Sequence, residues 1–155
     1  MSAFWDWAVA AYGREGVAEA CLILQDRYEQ NVPVLLWGAW NAVTGRRPDD
    51  EALEAACDMA RAYDRVVVGP LRAMRRTLKA PVPDIENDHR EALRTQVKAV
   101  ELDAERRLMQ ELEALSPPPA APARRALEGL AETARHWDTV VPRPALTTLS
   151  ERLSA

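Results

Sequence analysis

The ten residues Val34–Val43 read Val-Leu-Leu-Trp-Gly-Ala-Trp-Asn-Ala-Val, and only Asn41 offers water a polar side chain. A helix that is apolar all round must be buried at the centre of its protein. The alternative, a buried strand, needs partners, and the chain has no second convincing strand. Its one β-branched run, Val66-Val67-Val68, leads directly into Gly69-Pro70 and reads as a hinge or kink. Extended back to Val32, the apolar stretch is still far short of the roughly 20 residues needed to cross a bilayer. The rest of the chain must therefore supply helices that cover it.

The pattern supplies them. Ser2 can cap a helix over Ala3–Tyr12, with Phe4, Trp5, Ala8, Val9 and Tyr12 on one side. Val17, Cys21, Leu24 and Tyr28 mark a second helix to about Gln30, after Gly13 and Gly16. Asn31-Val32-Pro33 reads as a turn, because a residue before proline is pushed out of the α region. Asp49 or Asp50 caps a fourth helix reaching about Val66. Pro70 suits the first turn of a fifth, which ends near Lys79. Asp84 is placed to cap the longest helix, Ile85 to Leu115, with Leu93, Val97, Val100, Ala104, Leu108, Leu112 and Leu115 as its apolar stripe. Pro117-Pro118-Pro119 and Pro122 form a stiff linker. Two further helices follow, from about Ala123 to Trp137 and Pro144 to Leu153, which carry Leu127, Leu130 and Trp137 and then Leu146, Leu149 and Leu153.

The expected fold is all-α: a single-domain orthogonal or irregular helical bundle of about six to eight helices, one of them long. Residues 1–115 form the expected helical core, 116–122 a proline-rich linker, and 123–155 C-terminal helices packing back on the core. A chain of 155 residues buries enough surface to fold without disulfides or metal. Ala, Leu, Glu and Arg dominate, all good helix formers.

A net charge of −4 argues against a nucleic-acid binder, which needs a basic footprint. The opening Met-Ser-Ala-Phe-Trp-Asp-Trp lacks the basic flank and apolar run of an export signal, so a cytoplasmic location with reduced Cys21 and Cys57 is expected. Both cysteines fall on apolar helix faces, with no histidine near them in sequence, and read as packing residues.

Little catalytic machinery is visible. Glu86-x-x-His89 has the spacing of a di-iron ligand pair, but its required second half is missing, since Thr133 stands three residues before His136. Asp84 and Asp88 read as a cap and a dipole complement. There is no glycine-rich phosphate loop, nucleophile elbow or Cys-x-x-Cys, so an enzyme is not expected and neither is a cofactor or metal.

Two features remain as candidate binding residues. Arg65, Arg72, Arg75, Arg76 and Lys79 fall in a stretch with no acid, and on the fifth helix they oppose Leu71, Met74 and Leu78. That face suits an acidic partner, a phosphate or an anionic surface. Alternatively Asp84, Glu86, Asp88 and Glu91 neutralise it within the chain. Trp5, Trp37 and Trp40, together with Trp7, form either an aromatic core or the wall of an apolar pocket or interface.

The runs Phe4-Trp5, Tyr12, Gly16-Val17, Cys21-Leu22, Leu24-Gln25-Asp26-Arg27, Val34-Leu35-Leu36 and Trp40 resemble the opening of a family of conserved proteobacterial proteins of unknown function. Val67, Pro70-Leu71-Arg72, Arg75-Arg76, Leu78-Lys79, Lys98 and Glu101-Leu102 are similar to its later part, so the resemblance covers about residues 4 to 112. Where the family has Asp-Val-Asn before the central helix, this chain has Asn31-Val32-Pro33. The resemblance implies a small helical cytoplasmic bacterial protein without an established activity.

The function expected from these observations is a non-enzymatic helical adaptor or regulator that binds another protein, as a monomer or homodimer, through the basic helix. The competing expectation is a small-molecule binder or enzyme with a tryptophan-lined pocket, where arginines grip an anionic headgroup.

Overall fold

The structure, a computed structural model, describes residues 2–155, and every regular element among them is helical. In chain order these are α1 (Ala3–Tyr12), α2 (Val17–Tyr28), α3 (Val32–Val43), α4 (Asp50–Tyr63), α5 (Gly69–Thr77), α6 (Asn87–Ala114), α7 (Ala126–Trp137) and α8 (Arg143–Ser154). A π-helical turn over Asp64–Val68 joins α4 to α5. The expected all-α single domain is what the chain forms.

α3 is the centre, as its sequence demands: the ten residues Val34–Val43 are buried except at the last, and Trp37 is wholly enclosed. Its indole nitrogen donates to the Ser116 hydroxyl at 2.7 Å. Trp40 packs at 5.4 Å from the Phe4 ring, and the Arg46 guanidinium lies 4.3 Å above its own ring. Asn41, the lone polar side chain, donates to the Trp37 carbonyl at 2.9 Å. Val32 is already helical, which corrects the expected turn. Asn31 caps the helix by accepting from the Val34 amide at 3.1 Å, and Pro33 sits in the first turn, where its missing N–H has no partner to lose.

The main partner of α3 is α7, and the two approach closely because both carry glycine at the crossing. A Cβ built on Gly38 would run into the Thr133 hydroxyl and the Gly129 carbonyl, and one on Gly129 into the Gly38 carbonyl. The proline-containing strap after α6 is tied to the end of α3: the Ala121 amide donates to the Gly45 carbonyl at 2.9 Å, and Arg124 N–H to Ala42 at 2.7 Å. Leu130, Ala134, Leu146 and Leu149 thereby join one continuous core with α1 to α4.

α6 spans 28 residues, about 42 Å of helix. Asp84 does not cap it. That residue lies in the preceding turn with φ +67°, and Glu86 occupies the cap position without a side-chain bond. Only the second half of the expected stripe is buried: Ala104, Leu108 and Leu112, with Met109, pack on α1, α3 and α4. Leu93 and Val100 are exposed.

Candidate functional site

The side of the molecule where α1, α2 and α6 meet the start of α3 is open. A hollow of about 460 Å³ runs along it, walled by Trp5, Ala8, Val9, Tyr12, Leu102 and Met109, with Val32 and Pro33 at its inner end. Periodicity explains the wall. On α1, Phe4, Ala8 and Ala11 turn into the core, which leaves Trp5 half-buried and Val9 and Tyr12 outside, 53% and 41% exposed. The single apolar face expected for α1 is thus two adjacent stripes, one packed and one open. On α6, Leu102 (57% exposed) and Met109 follow a stripe beside the core-facing Ala104, Leu108 and Leu112.

A second hollow of about 290 Å³ adjoins the first and shares Gln25, Val32, Pro33 and Glu105 with it. Its character is different. It is lined by Glu29, Asp64 and Glu105, by Arg72, and by Gln30, Asn31 and Trp137. The indole nitrogen of Trp137 donates to the Glu29 carbonyl at 2.9 Å and closes one side.

Charge in this region is organised by α5 lying on α6. Arg75 holds Glu101 through two bonds, Nε at 2.6 Å and an NH2 at 3.2 Å, and this hydrogen-bonded carboxylate raises the already high guanidinium pKa. Arg72 stands among Glu101, Glu105 and Asp64 at 3.7–3.8 Å, too far for hydrogen bonds. Burial lifts the pKa of Glu105 above the usual carboxylate range, the nearby Glu101 charge adds to this, and Arg72 and Arg75 oppose it. Arg76 reaches Asp26 on α2 at 3.5 Å.

These contacts revise the reading of the basic helix. Arg72 and Arg75 do not form an outer face opposite Met74. They turn inward onto α6, while Met74 is exposed. The contact stripe of α5 and the residues flanking it is Val68, Leu71, Arg72, Arg75 and Leu78, and the Glu101 and Glu105 carboxylates on α6 make the arginines acceptable there. Neutralisation is internal but comes from Glu101, Glu105, Asp64 and Asp26. Of the acids expected to provide it, Glu91 pairs with Arg90 at 2.8 Å. Arg65 and Lys79 are exposed and form no ion pair among the described residues.

The tryptophans divide likewise: Trp37 and Trp40 belong to the core, while Trp5 walls the open hollow. Sequence reasoning missed Val9 and Tyr12 as open positions and did not single out Leu102, Glu105 or Gln30. The available signal was the stripe Leu102, Glu105, Met109, next to the leucine stripe of α6. Cys21 and Cys57 are buried, and desolvation pushes their thiols up to about 12 and about 11, which leaves almost no thiolate at neutral pH.

Fold and geometry define a small all-α protein with an open groove, apolar along one part and acidic at the other. The chain belongs to the family described as proteins of unknown function, DUF2390, whose model matches residues 3–112. That span holds every groove residue named above except Trp137. No curated protein and no solved structure matches the chain. No helix among the described residues is long and apolar enough to cross a membrane.

Proposed function

We propose that this protein is a non-enzymatic adaptor and that it docks a segment of another protein in the groove between α1 and α6. The observation that carries the reading is the gathering of Val9, Tyr12 and Leu102, all exposed, around an apolar hollow of about 460 Å³. An open channel edged by helices is suited to the apolar face of a helix or an extended segment. Trp, Tyr and Met, three of the side chains that wall it, are enriched where proteins meet. The basic helix contributes indirectly in this reading. Arg72 and Arg75 hold α5 on α6, which positions Leu102 and Glu105.

The test is site-directed photo-crosslinking in cells. A photoreactive residue at Leu102 should capture a defined protein, and one at the exposed Thr148 on α8 should not. Leu102→Glu should abolish capture by a second probe at Val9. Equal capture at Leu102 and Thr148 would remove the groove from consideration.

A small-molecule ligand is the second reading, favoured by one observation: the volume lies in the range of ligand pockets, about 300–1,000 Å³. Trp5 and Arg72 flank the groove as that reading expects, whereas Trp37 and Trp40 do not.

A further inference from the structure

We propose that this protein is a dimer, and that the second copy packs on the uncharged flank of the hairpin formed by α5 and α6, on the side away from the groove. The inference goes beyond the docking reading and does not depend on it.

The hairpin carries more helix than it buries. Over residues 64–100 only Val68 and Arg90 are buried. The two helices run antiparallel. Arg72 and Arg75 reach Glu101 at the base, and Arg90 donates to the Leu78 carbonyl at 2.7 Å near the tip. The seam of α6 is thus the row Arg90, Arg94, Val97 and Glu101, spaced three or four apart.

Each residue turns the helix by about 100°. The residue before a seam position therefore lies on one flank, and the residue after it on the other. In an antiparallel pair the two flanks of one kind open to the same side, because a twofold axis normal to the pair exchanges the helices. The two sides that result are unlike. After the seam come Ala73 and Arg76 on α5, then Thr95, Lys98 and Leu102 on α6, which carry charge and run into the groove. Before it come Leu71 and Met74, then Leu93, Gln96 and Val100, with no charge among them. Met74, Leu93 and Val100 are each about half exposed. Helices gain most of their stability by packing an apolar face, and a monomer rarely leaves a large apolar patch in water.

Charge and size identify the occupant. Interface cores are depleted of charge. In a twofold pairing a patch meets itself, so any charge near the axis would meet its own like. A flank without charge satisfies that condition, and it offers a charged partner nothing to select by. Two hairpins laid flank on flank make four helices around one core, which encloses Met74, Leu93 and Val100 of both copies. The flank is about 22 Å long over residues 87–101 and two helices, about 20 Å, wide. Shared by two copies, this comes to roughly 1,000 Å² of buried surface, the size at which an interface becomes specific. Leu102 lies on the opposite flank, so the dimer presents two grooves outward.

The experiment is sedimentation of the full chain over a range of concentrations. The natural chain should approach twice its 17.3 kDa as concentration rises, and its melting temperature should rise with it. Leu93→Glu combined with Val100→Glu should raise the dimer dissociation constant at least about tenfold, because it brings like charges into a dry contact. Thr95→Glu and Leu102→Glu, on the other flank, should dimerise as the natural chain does. Leu93→Lys combined with Val100→Lys should also fall apart. Mixed with the glutamate variant it should pair again, which a misfolded chain would not do. A natural chain that stays monomeric up to its solubility limit overturns the proposal. So does a dimer indifferent to both double variants, a dimer lost on Leu102→Glu, or a mixture that fails to pair.

Discussion

The crossing of α3 and α7 and the groove between α1 and α6 are built from similar residue types put to opposite use. At the crossing, Gly38 and Gly129 bring two backbones together, and Trp37 is enclosed with its one polar atom bonded. In the groove, Trp5 is half-covered, Val9 and Leu102 stand in solvent, and Arg72 meets three acids without a hydrogen bond. One side has no room, and its one unmet bond, at the Asn41 Oδ1, is sealed from solvent. The other has open space, exposed apolar side chains and a loosely held arginine, and such groups suit binding rather than stability.

The contrast is sharpest in the response to truncation. Trp37→Ala should destabilise the protein by about 3–5 kcal/mol in chemical denaturation, since it removes a fully buried indole and leaves a cavity. Trp5→Ala should cost clearly less. Equal losses would erase the distinction between the two regions.

Overfilling the crossing comes next. Gly38→Ala forces the Thr133 side chain and the Gly129 backbone to move, at a cost of about 1–3 kcal/mol. Gly13→Ala, where an added Cβ comes no nearer than 3.5 Å to any neighbour, should stay within about 0.5 kcal/mol. A neutral Gly38→Ala would show that the helices can separate without penalty.

Charge gives a smaller effect whose sign depends on pH. The folded chain holds the Glu105 proton more tightly than the unfolded chain, because burial disfavours the carboxylate. This favours folding at acid pH, and the contribution is lost as pH rises through the raised pKa. Glu105→Gln keeps the shape without the charge, so its stability relative to the natural chain should improve from acid to neutral pH. A natural chain that is more stable than Glu105→Gln at neutral pH would mean that the attraction of Arg72 exceeds the cost of burial.

Smallest of all should be the stability effect of altering the groove wall. Val9→Ser and Leu102→Ser should each change stability by no more than about 0.5 kcal/mol, because both side chains already stand in water. A loss of 2 kcal/mol or more, beyond that range for surface sites, would mean that the groove closes in solution.

The two regions also differ in how far the sequence revealed them. The burial of α3 followed from its lack of a polar side, and Ser2 and Asp49 acted as the caps their positions suggested. These are local properties. The pairing of Gly38 with Gly129 joins residues 91 positions apart, and neither glycine differs locally from any other. The groove was hidden for a related reason. A helical period identifies apolar stripes but not whether a neighbour arrives to cover them, so Val9 and Tyr12 read as core, as did Leu93 and Val100. The inward turn of Arg72 and Arg75 depended on Glu101 and Glu105, which become their neighbours only once α5 folds onto α6.

The division of labour between a sealed crossing and an open groove is tested most directly by calorimetric titration of the protein captured at Leu102 into the natural chain, Leu102→Glu and Thr148→Glu. The account predicts that Leu102→Glu weakens binding at least tenfold with an unchanged melting temperature, while Thr148→Glu binds like the natural chain. An unchanged affinity for Leu102→Glu would contradict it.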